Sequence, residues 1–443
     1  MSTEPRPPEH HVTPQVVPAG AEVEIRLAPL DEGARFRPTA EYRVSYTPME
    51  DIGGYSSFGP TRHTPPFRLR DGAMLVRQRF DGEQEHSLSV EEITPSGPRP
   101  VGDFRVYSVE PDLYERTPYK GDLHIHSDRS DGREPPGYVA ASCRKIGLDF
   151  MAVTDHRLYD PSIEAQQAFE SVPTDLRIFP GEEVHPPGNP IHIINFGGNR
   201  SVNRMFDDPS HKTEVDVLAA AIGPLPGGLD PYLLASSVWC FRAIRECGGL
   251  GIFCHPYWVS EHRYHIPGSL TTRLFEMQPF DAYELIGGYH LHEVESNMLQ
   301  VLRYQEERAK GRSIPIVGVS DAHGCDRGEL FGWYYTIVFA PSSSLDDLTS
   351  SIRERYSVAV EQLPGAGARA HGPMRLAKYA QFLIREAFPY HDTLCREEGE
   401  LMIAHLQRHA PPESGGPQER AGAAERLASL SGRTAAWWRS VRG

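Results

Sequence analysis

Residues 121–127 read GDLHIHS and place His124 and His126 at positions i and i+2 of an apolar, strand-like run. Alternate residues of a β-strand point to the same face, so both imidazoles can approach one metal ion. The pair alone is weak evidence for a metal site, because one histidine could equally lie in the core and the other in solvent. Its meaning depends on the residues at the later apolar runs.

Acidic and imidazole side chains recur at later apolar runs in the same way. They are Asp131 after the first run, Asp155 and His156 after DFMAVT, Glu182 and Glu183 after RIFPG, His192 within PIHIINF, His255 after GLGIFC, and Asp321 and His323 after IPIVGVS. The carboxyl ends of parallel barrel strands open on one face, where catalytic groups lie. Unpaired buried charges are costly, and metal coordination satisfies all these groups together.

The apolar runs alternate with helical stretches between Tyr119 and Gln362. This alternation is typical of parallel strands joined by helical crossovers. Seven strand-like runs predict an α/β fold, with a closed or nearly closed seven-stranded βα barrel over residues 119–362.

The segments that flank this region differ from it in pattern. Residues 15–115 contain short alternating runs separated by proline and glycine, which predicts a small all-β, sandwich-like domain. Residues 373–443 have helical periodicity, and we expect a C-terminal helical extension in which Trp437 and Trp438 dock onto the body.

The composition narrows the classes of partner. A formal net charge of −15 disfavours nucleic acid, which needs clustered lysine and arginine. Six cysteines without a C-x-x-C pair fit reduced thiols and a cytoplasmic protein. The N-terminus lacks the apolar segment of a signal peptide, and no run is apolar enough to span a membrane. The expected partner is a small-molecule ester substrate, and a homo-oligomer stays open.

Imidazole and carboxylate ligands without thiolate suit Zn²⁺, Mn²⁺ or Fe²⁺, and so many ligands predict two or three divalent ions. Such ions lower the pKa of a bound water and supply a bridging hydroxide as the nucleophile. Phosphate esters are the natural substrates for this chemistry.

The ordered series HIH, SDG, TDH, PGxE, a histidine-containing strand, CHP and SDAH resembles the polymerase and histidinol phosphatase (PHP) family over residues 119–362. The resemblance implies a distorted seven-stranded βα barrel with two or three metal ions. It also implies that His124, His126, Glu183 and Asp321 hold one ion and that Glu183 bridges. Glu182 is the alternative bridge, but Pro180-Gly181 aligns with the family motif in favour of Glu183, and only one of the two can point inward.

The second and third ions take the remaining ligands that the resemblance implies. Asp131, His156 and His323 complete the second ion, and His192 and His255 join Glu183 at the third. Asp321, which would orient the attacking hydroxide, and His255 are the candidate catalytic residues. Three arginines are candidates for substrate binding: Arg129, Arg157 and Arg327.

The Asp-Gly pair at Asp131 resembles the family branch that includes nucleotide phosphoesterases and aryl carbamate hydrolases. The long β-rich segment before the barrel resembles carbaryl-hydrolase-like members. The leading prediction is a phosphoesterase that acts on mono- or diesters. A carboxylic or carbamate ester hydrolase at the same site is the first alternative, and a non-catalytic metal-bearing module is the second.

Overall fold

A computed structural model describes residues 10–30, 33, 35–50, 64–326, 330–407 and 417–443 of the chain. The chain divides into two compact units. The first comprises Met1–Thr117, Gln381–Pro389 and Arg433–Gly443, and the second comprises Pro118–Ala380 and Tyr390–Gly432. The ranges 15–115, 119–362 and 373–443 stay a prediction about separate domains.

The first unit contains two four-stranded sheets. One has the order β1-β3-β6-β5 and the other β2-β8-β7-β4. The strands are β1 (His10–Thr13), β2 (Val16–Pro18), β3 (Ala21–Pro29), β4 (Glu41–Pro48), β5 (Phe67–Arg70), β6 (Ala73–Phe80), β7 (Gln84–Thr94) and β8 (Gly97–Val109). Buried and half-buried residues alternate along β7, as expected for a strand with one face on a core. Apolar side chains from both sheets, such as Ile25 and Leu88, share that core.

The second unit is built on two larger sheets. One has six strands in the order β11-β10-β9-β19-β20-β21, and the other has five in the order β12-β13-β14-β17-β18. Their strands are β9 (Thr117–Asp122), β10 (Phe150–Ala152), β11 (Arg177–Phe179), β12 (Gly181–Val184), β13 (Ile193–Phe196), β14 (Leu250–Phe253), β17 (Ala282–Gly287), β18 (Ile316–Val319), β19 (Tyr334–Ala340), β20 (Ser357–Glu361) and β21 (Arg369–His371). Residues of both sheets, including Leu123 and Ile252, form one buried cluster.

Helices connect these strands and follow them to the C-terminus. They are α1 (Pro111–Tyr114), α2 (Pro136–Lys145), α3 (Asp160–Gln167), α4 (Pro209–Ile222), α5 (Pro231–Glu246), α6 (Gly268–Met277), α7 (Val294–Ala309), α8 (Leu345–Arg353), α9 (Met374–Glu386), α10 (Phe388–Leu406), α11 (Pro417–Leu430) and α12 (Arg433–Arg442). Trp437 and Trp438 of α12 are buried. In the described part of the chain, no helix is both long and apolar enough to cross a membrane.

The mixed α/β class that the sequence predicts is confirmed, but a closed seven-stranded barrel is not. Isolated bridges, Ile125 with Ala322 and His156 with Glu183, connect the two sheets beyond the strand ends. The strands are also not all parallel, because β13 runs antiparallel to both β12 and β14. The connection from β12 to β13 contains no helix, and antiparallel neighbours need no long crossover.

Buried charges hold α10 against the sheet end of the second unit. Arg144 of α2 lies 2.7 Å from Glu398 of α10 and 3.1 Å from Asp149. His391 of α10 lies 2.9 Å from the same Asp149. Burial alone would raise the pKa of Asp149, but His391 and Arg144 lower it to about 2. We call Arg144, Asp149, His391, Cys395 and Glu398 the Arg144 cluster.

Candidate metal centre

The first histidine pair and Asp321 meet where β9 and β18 end. The His124 carbonyl accepts a hydrogen bond from the Asp321 backbone N–H, which fixes the two chain segments side by side. The Nε2 atoms of His124 and His126 lie 3.2 Å apart. Asp321 Oδ1 is 3.1 Å from the first and 2.9 Å from the second. These three side chains therefore converge on one point.

A second group surrounds His126 on its more open side. His156 Nε2 and His323 Nε2 each lie 3.3 Å from an oxygen of Asp131. The His126 ring lies 4.3 Å from the rings of both His156 and His323. Asp131 and His323 are 55% and 37% exposed, so this group faces solvent and can admit a substrate.

Glu183 lies between these groups and a third one. One of its oxygens, Oε2, contacts His156 and lies 3.7 Å from His126 Nε2. The other, Oε1, lies 2.8 Å from His192 Nδ1 and 3.5 Å from His255 Nε2. A carboxylate with imidazoles on both oxygens has the geometry of a bridging ligand. All nine residues proposed from the sequence as ligands thus lie around one centre.

The neighbouring Glu182 points to the other side of β12. Its carboxylate accepts hydrogen bonds from Ser201 Oγ, the Val202 N–H and the side-chain amides of Asn195 and Asn203, at 2.5 to 3.1 Å. Glu182 is therefore fully satisfied away from the histidines. Alternation along a strand explains why its neighbour Glu183 faces them.

The donor set of this centre fits divalent metal ions. Both Glu183 oxygens and the Nδ1 atoms of His124, His126 and His255 are buried without a hydrogen-bond partner. Neither lysine nor arginine pairs with Glu183 or Asp321 among the described residues. Nitrogens that share an ion at 2.0 to 2.1 Å lie about 2.9 to 3.3 Å apart, close to the spacing of His124 and His126. Carboxylates without a lysine or arginine partner are typical of a metal site.

The protonation states at the centre are mixed. Burial alone would raise the pKa of Glu183, but the surrounding histidines hold it well below its ordinary value. Burial lowers the pKa of His192 to about 4; burial alone would also lower the pKa of His156, but Glu183 and nearby carboxylates raise it to about 9. Metals bind ionised carboxylates and neutral imidazoles, so a metal ion bound at His156 would release a proton near pH 7.

The backbone is strained at three positions around the centre. His255, Asp321 and Arg157 have φ values of +24°, +51° and +62°, a region that residues with a Cβ rarely adopt. Such outliers cluster at functional sites, where the surrounding structure holds them in place. Two of the three are the residues proposed as catalytic.

Three further residues at the centre were not predicted as site residues. His185 lies 3.4 Å from Glu183 and stacks on His192 with ring centroids 4.0 Å apart. It stands two positions after Glu183, so strand alternation was the signal that could have found it. Asp155 accepts hydrogen bonds from the Ser127 N–H at 2.7 Å and Ser130 Oγ at 2.5 Å, which shapes the loop before Asp131.

Glu284 of β17 is the third of these residues. It is fully buried, and neither of its oxygens has a hydrogen-bond partner. Its nearest ionisable neighbour is His124, whose Nδ1 is 3.7 Å away. Carboxylates behind metal-binding histidines commonly orient the ring. In the sequence, Glu284 in the FDAYELIGG run resembles a position near the site in the PHP family, and an acid buried against an arginine or the backbone is an equally good interpretation of it.

The three arginines proposed for substrate binding differ in placement. Arg129 makes a two-pronged pair with Glu164 at 2.6 and 2.9 Å, so its guanidinium is already engaged. Arg157 is exposed, and its backbone N–H donates to the Glu183 carbonyl at 2.9 Å. Arg327 lies outside the described residues. Of the two described candidates, Arg129 is therefore the one already engaged in an ion pair.

Comparisons with known proteins find partial likenesses. No family model matches the chain. A 57-residue stretch is 42% identical to the DNA polymerase/3'-5' exonuclease PolX of Bacillus subtilis, covering 13% of this chain. The chain thus matches only 10% of that polymerase's length.

Solved structures give broader but weaker matches. A two-domain protein from Bacteroides vulgatus, described as containing a predicted PHP-like metal-dependent phosphoesterase, is 20% identical with a TM-score of 0.36 over 57% of this chain and 67% of its own. A proposed metal-dependent phosphoesterase from Bifidobacterium adolescentis is 18% identical, with a TM-score of 0.31 over 53% and 94%. An amidohydrolase from Chromobacterium violaceum with bound sulfate is 18% identical, with a TM-score of 0.30 over 47% and 89%. These values are too low to transfer a reaction to this chain.

Proposed function

We propose that this protein is a metal-dependent hydrolase of phosphate esters with its active site at the centre around Glu183. The observation that carries the proposal is the convergence of nine imidazole and carboxylate side chains whose central carboxylate is buried without a hydrogen-bond partner. Grouping so many ionisable side chains in a buried site is costly unless bound ions compensate them.

Two or three divalent ions, of zinc, manganese or iron, suit these ligands. His124, His126 and Asp321 would hold one of them, and Asp131, His156 and His323 another, with His126 close to both groups. His192 and His255 would complete a third on the Oε1 side of Glu183. Bound ions would lower the pKa of a water towards neutrality and neutralise charge on the substrate oxygens.

Asp321 and His255 are the proposed catalytic residues. Asp321 is 17% exposed and lies between buried histidines and the open side of the site. Its carboxylate is proposed to orient the attacking water by accepting a hydrogen bond. His255 Nε2 lies 3.5 Å from Oε1 of Glu183, the oxygen opposite the one that contacts His156.

A carboxylic or carbamate ester is the second candidate substrate at the same site. The pairing of Arg129 with Glu164 favours it, because a phosphate group is better served by free arginines than by engaged ones. Both candidates use the same metal ligands. They differ only in the substrate group that the residues around the metal ligands would bind.

The experiment is turnover by purified protein reconstituted separately with Zn²⁺, Mn²⁺ and Fe²⁺. The panel contains phosphomonoesters, phosphodiesters, aryl carboxylic esters and aryl carbamates. We expect the phosphate esters to react fastest, and His156→Ala to lower the rate at least about 100-fold. His292→Ala is the matched control, since His292 is 80% exposed and outside the centre.

Three outcomes separate the candidates. Faster turnover of carbamates or carboxylic esters would replace the proposed substrate by the second candidate. Retained metal with no hydrolysis of any ester would favour a non-catalytic metal-bearing module and overturn the proposal. Equal loss of activity in His156→Ala and His292→Ala would show that the active site does not lie at this centre.

A further inference from the structure

A short hairpin follows His255 directly. Its strands are β15 (Val259–Ser260) and β16 (Arg263–Tyr264), which pair antiparallel. The two turn residues, Glu261 and His262, have φ values of +50° and +66°. Tight hairpin turns of this kind usually contain asparagine or glycine, so a Glu-His turn is strained. The hairpin is therefore held in place by more than its turn.

The base of the hairpin packs against the third group of the metal centre. The Trp258 ring lies 6.1 Å from the His255 ring and 4.8 Å from the His265 ring. The His265 ring in turn lies 5.4 Å from His192. The hairpin thus borders the part of the centre where His192 and His255 meet Glu183.

A cavity of about 620 Å³ adjoins this border. His265 lines it and is the residue that connects it with His192. Pro190, Leu233, Pro267 and Tyr264 are the apolar and aromatic residues of its lining, beside the polar Ser260 and His265. Its volume falls within the usual range of ligand sites, roughly 300 to 1,000 Å³.

The charges of the cavity cancel. Its lining contains one arginine, Arg263, and one acidic residue, Glu261. A further negatively charged group on the substrate would be attracted by Arg263 and repelled by Glu261, so it would gain no net attraction. Tyr264 is 44% exposed and makes an edge contact with Tyr257 at 5.4 Å, so one part of its ring is held while another stays accessible. Aromatic rings pair favourably with such a surface.

We propose that this cavity binds the leaving group of the substrate and that the leaving group is an aryl alcohol without a further charged group, whose ring packs against Tyr264. Water attacks the acyl or phosphoryl centre, the bond to the ester oxygen breaks, and the aryl alcohol departs with that oxygen. The inference rests on the proposed function, which supplies the reacting end of the substrate at the metal centre. Tyr264 acts as a specificity-determining residue, since it contacts the leaving group and not the reacting atoms.

Steady-state kinetics with phenyl phosphate and ethyl phosphate tests the proposal, or with phenyl and ethyl acetates if the wild type prefers carboxylic esters. We expect Tyr264→Ala to raise KM for the phenyl ester roughly five- to tenfold with kcat within about twofold. The ethyl ester should be unaffected. Tyr264→Phe should behave like the wild type, because it keeps the ring. Tyr390→Ala, at another exposed tyrosine, is the control.

Binding separates this inference from the proposed function. Calorimetry with phenylphosphonate and ethylphosphonate on the metal-loaded protein measures the same preference without turnover. If no ester is hydrolysed, the proposed function fails, while a phenyl preference that Tyr264→Ala abolishes still supports the cavity. Equal effects of Tyr264→Ala on both ligands, no effect, or a Tyr264→Phe variant as weak as Tyr264→Ala would overturn the inference.

Discussion

Two buried clusters in the described part of the second unit, the Arg144 cluster and the centre around Glu183, both combine carboxylate and imidazole groups but differ in the residues that supply positive charge. In the Arg144 cluster, a buried guanidinium pairs with both Asp149 and Glu398. Around Glu183, every ion pair within 4 Å among the described residues is with a histidine. The carboxylates of one cluster pair with a permanently charged arginine, and Glu183 in the other pairs only with histidines among the described residues.

This difference teaches that ligand types alone do not identify a metal site. Asp149, His391 and Cys395 bring their donor atoms as close together as a metal site requires. Arginine stays protonated in proteins, so Arg144 repels any cation that would enter. We therefore interpret the Arg144 cluster as structural and propose that the Glu183 centre is the one that binds external cations.

The largest effect is expected at Arg144. Arg144→Met removes one partner of a buried ion-pair network, leaving Glu398 without its cationic partner and Asp149 with His391 alone, which should lower the free energy of unfolding by about 3 to 5 kcal/mol. Denaturant unfolding measures it. Metal content of the folded fraction should not change. A loss of unfolding free energy below about 1 kcal/mol, the contribution of an exposed ion pair, would contradict the claim that Arg144 neutralises its cluster.

The next effect is expected at Glu183, with its neighbour as the control. Glu183→Gln removes the proposed bridge and should lower the hydrolysis rate at least about 100-fold, equivalent to about 2.7 kcal/mol. Glu182→Gln disturbs only the hydrogen bonds to residues 195–203 and should cost about 1 to 3 kcal/mol of stability with activity retained. Equal losses of activity in both variants would contradict the assignment of the two faces of β12.

A smaller effect is expected from the titration of His391. Burial alone would lower the pKa of His391, but Asp149 and the other acidic groups beside it raise it well above 6.5. A raised folded pKa stabilises the protein below pH 6.5, and this stabilisation is lost as pH rises through the folded value. Between these limits the loss is about 1.4 kcal/mol per pH unit.

Unfolding free energies of the wild type and His391→Gln between pH 6 and 9 measure this contribution. The wild type should lose stability more steeply with rising pH than the variant does. Parallel curves would show that His391 is not a charged member of the Arg144 cluster.

The smallest effect is expected at Arg129. Its pair with Glu164 is exposed, so Arg129→Ala should change stability by no more than about 1 kcal/mol. Since the same pair occupies the guanidinium, KM should change less than about twofold. A tenfold rise in KM for phosphate esters would place Arg129 in contact with the substrate.

Sequence patterns were sufficient for much of this centre because they report local geometry. Residues at the ends of apolar runs must come together if the runs are neighbouring core strands, and alternation separates Glu183 from Glu182. The mixed α/β class followed from alternating strands and helices. Apart from the choice of Glu183 over Glu182, which the resemblance of Pro180-Gly181 to the family motif supplied, these inferences need only the period of a strand and the edge at which it ends.

Features that depend on distant partners could not be predicted in this way. The pairing of Arg129 with Glu164 joins residues 35 positions apart, and Arg144 with Glu398 joins residues 254 apart. The reversed direction of β13 depends on its neighbours in the sheet, and the apolar run itself reads the same in either direction. Long-range contacts of this kind decide which charged groups are neutralised.

Metal content of purified protein tests the central claim most directly. Elemental analysis after dialysis compares the wild type with Glu183→Gln and with Cys395→Ser, a conservative substitution in the Arg144 cluster. We predict at least two equivalents of metal in the wild type and in Cys395→Ser, and the loss of at least one in Glu183→Gln. Loss of metal in Cys395→Ser, with full retention in Glu183→Gln, would contradict the account.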